Sequence, residues 1–174
     1  MERQESLATF FEQCEHLAAL WRFDRVATTS EDVLFEQEDE GNFVESFLQF
    51  SSASVLARLT TEQMRSLNAA VRTVSEAMIE ALKVPKLGTR LRMIRLLGRL
   101  GLSGALKPLL LILHAAESYD EREAAAKALA DIGLPDANEG LERVAFDRQL
   151  PPSLRSSAID GIARIAPGRC IDKL

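Results

Sequence analysis

"TRLRMIRLLGRLGLSGALKPLL", residues 89–110, is followed by a second stretch of the same design, "EREAAAKALADIGLPDANEGLE" at 121–142. A third copy, "LRSSAIDGIARIAPGRC" at 154–170, ends close to the last residue of the chain. The offsets are 32 and 33 residues, and the coinciding positions are Arg90 with Arg122 and Arg155, Leu97 with Leu129 and Ile162, and Gly101 with Gly133. A repeat of this length predicts paired helices joined by tight turns, with each pair packed on its neighbours.

The segments between the paired helices repeat as well, as "GLSGA" and "GLPDA". Gly101 and Gly133 fall where the first helix of each pair must end, and glycine takes the left-handed conformation there without steric cost. Ser103 and Asp136 follow at positions where a side-chain oxygen could accept hydrogen bonds from the free N–H groups of the next helix. We therefore predict that these two residues are N-caps.

The three copies resemble the short bacterial HEAT-like repeats first recognised in phycobilin lyases. In those repeats an arginine opens the first helix, as at Arg90, Arg122 and Arg155, and a sequence such as "ALADIG" closes it. The resemblance covers about residues 88–170 and implies an all-α fold, a short right-handed α-solenoid of HEAT-like helical pairs. It carries little information on function, because such repeats serve many partners. At the recurring arginine we expect a framework contact with an acid or a carbonyl of the neighbouring repeat.

The third copy stops at Cys170, where its second helix would begin. A solenoid end that lacks its covering helix exposes apolar surface. A partner protein or a second copy of the chain could dock there and form a homo-oligomer. Alternatively, the terminal segment packs back on the last helix.

The first half of the chain has no comparable repeat, and we predict two regions, an acidic helical N-terminal region at 1–85 and HEAT-like repeats at 86–174. Residues 1–85 are either diverged helical pairs or a cap. Apolar residues at three- and four-residue intervals predict the helices 5–23, 43–50 and 61–82. Thr60 or Thr61 is the expected N-cap of the third helix, and the acids and Gly41 of "VLFEQEDEGN", which ends at residue 42, predict an exposed loop.

The net charge of −5 hides a strong asymmetry along the chain. Residues 1–50 hold twelve acids and three bases, whereas residues 51–117 hold ten bases and four acids. There is no signal-peptide pattern at the N-terminus, and the longest apolar run, at 109–116, is too short to span a bilayer. We expect a soluble, cytoplasmic protein with no membrane partner.

Three arginines share one face of the helix that begins near residue 89. At 100° per residue, Arg92, Arg95 and Arg99 fall within an arc of about 60°, opposite the apolar side chains. The face does not recur in the other copies, and the sequence pI is about 5.2. A solenoid that follows a phosphate backbone needs basic residues stacked from repeat to repeat, so nucleic acid is not the expected ligand. The three arginines either form an ordinary solvated face or dock an acidic group, from a partner or from the chain's own "EQEDE" at 36–40.

No motif for catalysis, a cofactor or a metal ion is present. Cys14 and His16 are two residues apart on a helix and so point to different faces, and Cys170 belongs to no metal-type pair. We read His114 as a helix-end or core contact. The sequence therefore predicts a protein that is not an enzyme and holds no cofactor.

The prediction for function is a non-catalytic scaffold or adaptor that binds another protein through a charged face of the solenoid. The candidate partner-binding residues are Glu36, Glu38, Asp39, Glu40, Arg92, Arg95 and Arg99. One alternative is an immunity-type inhibitor whose acidic surface blocks a basic toxin or nuclease. Another is an enzyme on a HEAT-like fold, such as a phycobilin-lyase-like protein.

Overall fold

The fold was taken from a computed structural model of the chain. The backbone is described for residues 2–23, 37–84 and 86–167. Side chains are described for residues 7–19, 42–84 and 86–167. Every regular element in these ranges is helical, which confirms the all-α prediction there. The chain divides into two compact units, Met1–Ala81 and Leu82–Leu174.

The first unit is built around a cluster of phenylalanine side chains. Its helices are α1 (Glu2–Phe23), α2 (Gln37–Phe50), α3 (Ala53–Leu56) and α4 (Thr61–Ala81), and α1 packs against α2 and α4. The ring of Phe10 is buried, with centroids 6.0 Å from Phe43, 6.3 Å from Phe47 and 4.9 Å from Phe50. Three of these rings come from the apolar face of α2, so the three- and four-residue spacing that predicts the helix also places its core residues.

The predicted loop at 33–42 is wrong from residue 37 onward, because α2 already begins at Gln37 and passes through Gly41. Residues 33–36 lie outside the described residues. Glu38, Asp39 and Glu40 thereby occupy the first turn of the helix. Carboxylates are favourable at that end, where the N–H groups of the first turn carry partial positive charge. The apolar face of α2 is buried, and this tertiary packing outweighs the cost of one helical glycine, about 1 kcal/mol.

A capping box fixes the start of α4 at Thr60. The backbone N–H of Gln63 donates to Thr60 Oγ1 at 3.2 Å, and the N–H of Thr60 donates to Gln63 Oε1 at 2.9 Å. Two donors that the helix itself leaves unpaired are thus satisfied reciprocally. Of the two threonines predicted, Thr60 is the cap and Thr61 is the first helical residue.

The second unit carries the repeated sequence. Its helices are α5 (Leu87–Arg99), α6 (Leu106–Ala115), α7 (Tyr119–Ile132), α8 (Asn138–Phe146) and α9 (Pro152–Ile165). Helix α7 packs against α5 and α9, α6 packs on α7 and α8, and α8 packs on α9. The apolar residues at equivalent positions, Leu97, Leu129 and Ile162, are all buried in this core.

Gly101 and Gly133 end α5 and α7 in the left-handed conformation, as the sequence predicts. Their φ angles are 62° and 72°, a region in which a side chain meets the backbone. The N–H of Leu102 donates to the carbonyl of Leu97 at 3.2 Å, which is the longer bond of a Schellman motif.

The predicted N-caps Ser103 and Asp136 are wrong. Both lie inside short 3-10 turns, Ser103–Ala105 and Pro135–Ala137, and no side-chain cap hydrogen bond is made there. The turns satisfy the backbone themselves, because Ala105 and Ala137 donate to the carbonyls of Leu102 and Leu134, each at 3.0 Å. A 3-10 turn before an α-helix removes the need for a side-chain oxygen at that point.

Candidate protein-docking groove

Helices α5 and α7 approach each other closely because glycine stands at the crossing. A Cβ atom added at Gly98 would lie 2.6 Å from the Cα and 2.8 Å from the Cβ of Ala128. Farther toward the N-terminal ends, Arg90 of α5 contacts Glu121 of α7. Arg90 precedes Gly98 in α5 and Glu121 precedes Ala128 in α7, so the two helices run parallel.

Arg90 and Glu121 form the ion pair that fixes this register. Arg90 Nε donates to Glu121 Oε1 at 2.6 Å and Nη2 donates to Oε2 at 3.2 Å, a two-pronged contact. Arg90 Nη1 also donates to the carbonyl of Val84 at 2.9 Å. The carboxylate hydrogen bond, despite partial desolvation, raises the pKa of Arg90 above its ordinary value. The Glu121 side chain is only 7% exposed, so Arg90 is the cation that compensates the desolvation of this carboxylate.

The equivalent arginines of the other copies also bind backbone carbonyls. Arg122 Nε donates to the carbonyl of Leu113 at 2.8 Å, near the end of α6. Arg155 Nε donates to the carbonyl of Ala145 at 3.2 Å, near the end of α8. The expectation that the recurring arginine makes a framework contact with an acid or a carbonyl is therefore confirmed.

A groove with a volume of about 420 Å³ lies between α5 and α7. Its apolar lining consists of Leu91, Ala124 and Ala128. Its charged lining consists of Arg95, Arg99, Asp120, Glu123, Lys127 and Asp131. The groove thus has small apolar residues between two charged helix faces, an arrangement suited to a side chain with an apolar stem and a polar end.

Two of the three acids on the α7 side already have cationic partners. Glu123 Oε1 accepts from Lys127 Nζ at 2.7 Å, and this bond holds the pKa of Glu123 below its ordinary value. Asp131 Oδ1 lies 2.7 Å from Arg164 Nη1, which extends from α9. These two pairs neutralise Glu123 and Asp131 at two levels of the groove.

The arginines on the α5 side have no such partners. Arg95 and Arg99 are exposed, and within the part of the chain that the structure describes neither guanidinium has a hydrogen bond or an ion pair. They are four residues apart and so lie on the same helix face, about 5–6 Å from Cβ to Cβ. The unpaired charge at this end of the groove is therefore positive.

Of the other predicted binding residues, Arg92 is the one whose side chain is described. Arg92 is half-buried, makes a contact of its own and does not line the groove. Glu38, Asp39 and Glu40 belong to the first turn of α2, where only the backbone is described, and Glu36 lies outside the described residues. Of the three predicted arginines, two, Arg95 and Arg99, therefore line the groove.

Sequence reasoning missed the α7 side of the groove. Asp120, Glu123 and Asp131 stand on different turns of α7, and only the pairing of α7 with α5 brings them opposite Arg95 and Arg99. The available signal was the repeat itself, because an offset of 32 places Lys127 and Asp131 at the positions of Arg95 and Arg99.

The described cysteine and histidines do not form a reactive site. Cys14 is buried, and its burial, with a smaller effect of Glu15, raises the pKa of the thiol to about 12. His16 is exposed on the opposite face of α1, as the two-residue spacing predicts. Partial burial, followed by the charges of Arg143 and Arg122, lowers the pKa of His114. Within the described ranges, no three potential ligand residues are grouped so that they could hold a metal ion.

Comparison with known proteins returned no match to any family model, and no curated protein matches the chain either. Function is therefore argued from the geometry of the groove. As for membranes, none of the helices described is both long and apolar enough to cross one.

Proposed function

We propose that this chain is a non-catalytic protein-interaction module whose docking surface is the groove between α5 and α7. The observation that carries the proposal is the pair of exposed, unpartnered arginines, Arg95 and Arg99, beside an apolar strip. Arginine is enriched at protein interfaces, because its planar fork makes two hydrogen bonds and its stem adds apolar contact.

The proposal extends to the architecture, a short right-handed solenoid of HEAT-like pairs acting in the cytoplasm. Two repeating features support it. The left-handed glycines Gly101 and Gly133 occur at the same place in successive copies, and the three equivalent arginines bind carbonyls near the end of the preceding segment. In such arrays the faces of successive helices form a continuous surface for partners.

A protein fits this groove better than a nucleic acid does. Asp120, Glu123 and Asp131 line the same groove as the arginines, and a phosphate backbone would meet them all along its path. Nucleic-acid binding draws its affinity from many phosphate contacts and needs a continuous positive surface. A protein segment can instead place opposite charges where each is needed.

Among the described residues, the lining of the groove offers few groups of the kind that a hydrolase or lyase uses. Neither histidine nor cysteine lines it, and two of its three acids are held in ion pairs with Lys127 and Arg164. A general acid or base must be free to exchange a proton with substrate. These contacts favour recognition over catalysis as the task of the groove.

The test is a pull-down from the native cell extract with the tagged full chain, at low and at high salt. Wild type is compared with Arg95→Gln/Arg99→Gln and with Arg143→Gln/Arg148→Gln. The second variant removes the same charge from exposed positions outside the groove. We expect one stoichiometric protein on wild type and on the control, its loss from the groove variant, and release by salt. A chain that retains no protein, or that carries a small molecule or nucleic acid instead, would overturn the proposal.

A further inference from the structure

We infer that the groove recognises an acidic helical segment of a partner protein, with two carboxylates one turn apart and an apolar side chain between them. The inference rests on the proposed function and specifies the chemistry of the partner. It assigns a separate task to each of three parts of the groove. These are the arginine edge (Arg95 and Arg99), the acids of α7 and the apolar strip (Leu91, Ala124 and Ala128).

The arginine edge sets the spacing of the partner's acids. Arg95 and Arg99 are one helical turn apart, so their guanidinium groups project from neighbouring points of one face. Two carboxylates at positions i and i+4 of a partner helix have the same separation. Each guanidinium can then meet one carboxylate in a charge-assisted pair.

The charges on the α7 side determine whether the groove attracts an acidic or a basic partner. Glu123 and Asp131 face the groove but are neutralised by Lys127 and Arg164. Asp120 has no such pair, but it precedes Glu121, which contacts Arg90, so it is level with the first turn of α5. At 3.6 residues per turn, Arg95 and Arg99 are about one and a half and two and a half turns beyond Arg90. The end of the groove that holds the arginines therefore attracts negative charge.

The apolar strip limits what can lie between the two acids. Ala124 and Ala128 leave little side-chain bulk on α7, and the crossing at Gly98 keeps the helices close. Leu91 is half-buried and supplies the one large apolar side chain of the lining. A leucine or alanine on the same face of the partner helix can cover this strip, and the excluded water strengthens the adjacent ion pairs.

The experiment uses fluorescent alanine-rich peptides of about fifteen residues, the length at which an isolated helix becomes stable. One peptide carries two glutamates four residues apart with a leucine between them, a second has glutamines in place of the glutamates, and a third has lysines. Binding to the full chain is measured by fluorescence anisotropy at low and high salt. The proteins are wild type, Arg95→Gln/Arg99→Gln and the charge-matched control Arg143→Gln/Arg148→Gln, each checked for wild-type helix content by circular dichroism.

We expect the glutamate peptide to bind wild type and the control equally, and the groove variant about tenfold more weakly, because hydrogen bonds to charged groups are among the stronger ones. The glutamine and lysine peptides should bind wild type at least about tenfold more weakly than the glutamate peptide, and salt should weaken the glutamate complex. Equal binding of the glutamate and glutamine peptides, or equal binding to the groove variant, would overturn the inference.

The extract experiment keeps this inference separate from the proposed function. A partner retained equally by wild type and by Arg95→Gln/Arg99→Gln means that the chain binds protein through another surface. The inference and the groove as docking surface then fail, while the role as a protein-interaction module stands. If no partner and no peptide is bound, both fail. If a partner is lost from the groove variant but only the lysine peptide binds, the groove is the docking surface and the acidic partner is wrong.

Discussion

Gly98 of α5 faces Ala128 of α7 at a distance that leaves no room for a side chain on the glycine. The parallel register of the two helices, and the width of the groove that they form, depend on this contact. Gly98 lies in the last turn of α5, and glycine within a helix is less favourable than alanine by up to about 1 kcal/mol. The close packing of α5 on α7 compensates for this loss of helix stability.

Gly98→Ala should therefore destabilise the chain, although alanine is the better helix former. The added methyl group would push against the backbone of Ala128, and overpacking of this kind costs about 1–3 kcal/mol. Urea denaturation followed by circular dichroism measures the change. The matched control is Gly88→Ala in the same helix, where a new Cβ meets nothing within 4 Å. That variant should be neutral or more stable by up to about 1 kcal/mol, and equal loss in both variants would contradict the close-contact explanation.

Removing the carboxylate of Glu121 should cost far more than removing an exposed one. Glu121→Ala removes the carboxylate that Arg90 contacts on α7, and breaking a buried pair in this way costs about 3 kcal/mol or somewhat less, given the partial exposure of Arg90. The comparison is Glu139→Ala, which breaks an exposed pair with Arg143 and should cost about 0.5 kcal/mol. Chemical denaturation of both variants gives the two values. Similar losses would mean that the Arg90–Glu121 pair does not hold α5 on α7.

The left-handed turn at Gly133 predicts a graded response to substitution. Gly133→Ala should lose about 1–2 kcal/mol, since a Cβ atom in this conformation approaches the following carbonyl. Gly133→Asn should lose less, because asparagine is the other residue that commonly ends helices in this way. Thermal unfolding of the two variants tests the order, and a more stable alanine variant would show that φ at residue 133 is not constrained.

His114 should make stability depend on mildly acidic pH. Its folded-state pKa is lowered, first by partial burial and then by Arg143 and Arg122, so the unfolded chain takes up a proton more readily than the folded one. The neutral ring therefore contributes its full stabilisation above the unfolded-state pKa of 6.5. That stabilisation is lost as the pH falls from 6.5 toward the lower pKa of the folded state. The free energy of unfolding of wild type should be lower at pH about 5.5 than at about 7.5. In His114→Gln this difference should shrink, and an unchanged difference would assign it to other groups.

The sequence predicts helices well where apolar spacing and turn chemistry agree. The left-handed glycines and the capping threonine before α4 are local features, and each was found from residues within a few positions of it. The N-terminal turns of α2 were missed because the acids and Gly41 resemble a loop, while the burial of Phe43 and Phe47 that stabilises the helix is tertiary. Local composition alone does not reveal that packing.

The candidate groove was predictable only in part. The helical period places Arg95 and Arg99 on one face, and both are exposed there, whereas Arg92 on the same predicted face is half-buried. Which residues lie opposite depends on the pairing of α5 with α7 across about thirty residues of sequence, and on the missing side chain of Gly98 that lets them meet. An isolated glycine inside a helical pattern is the clue that a sequence offers for such a contact.

The hydrogen bonds from Arg90, Arg122 and Arg155 reach main-chain carbonyls, which every amino acid possesses. The acceptor positions, now Val84, Leu113 and Ala145, can therefore change identity without loss of the bond. The hydrogen bond that joins each repeat to the segment before it therefore requires a particular side chain at one position only, that of the arginine. Two chains could accordingly differ at all three acceptor positions and still keep the same tie between successive segments, provided that each keeps the arginine.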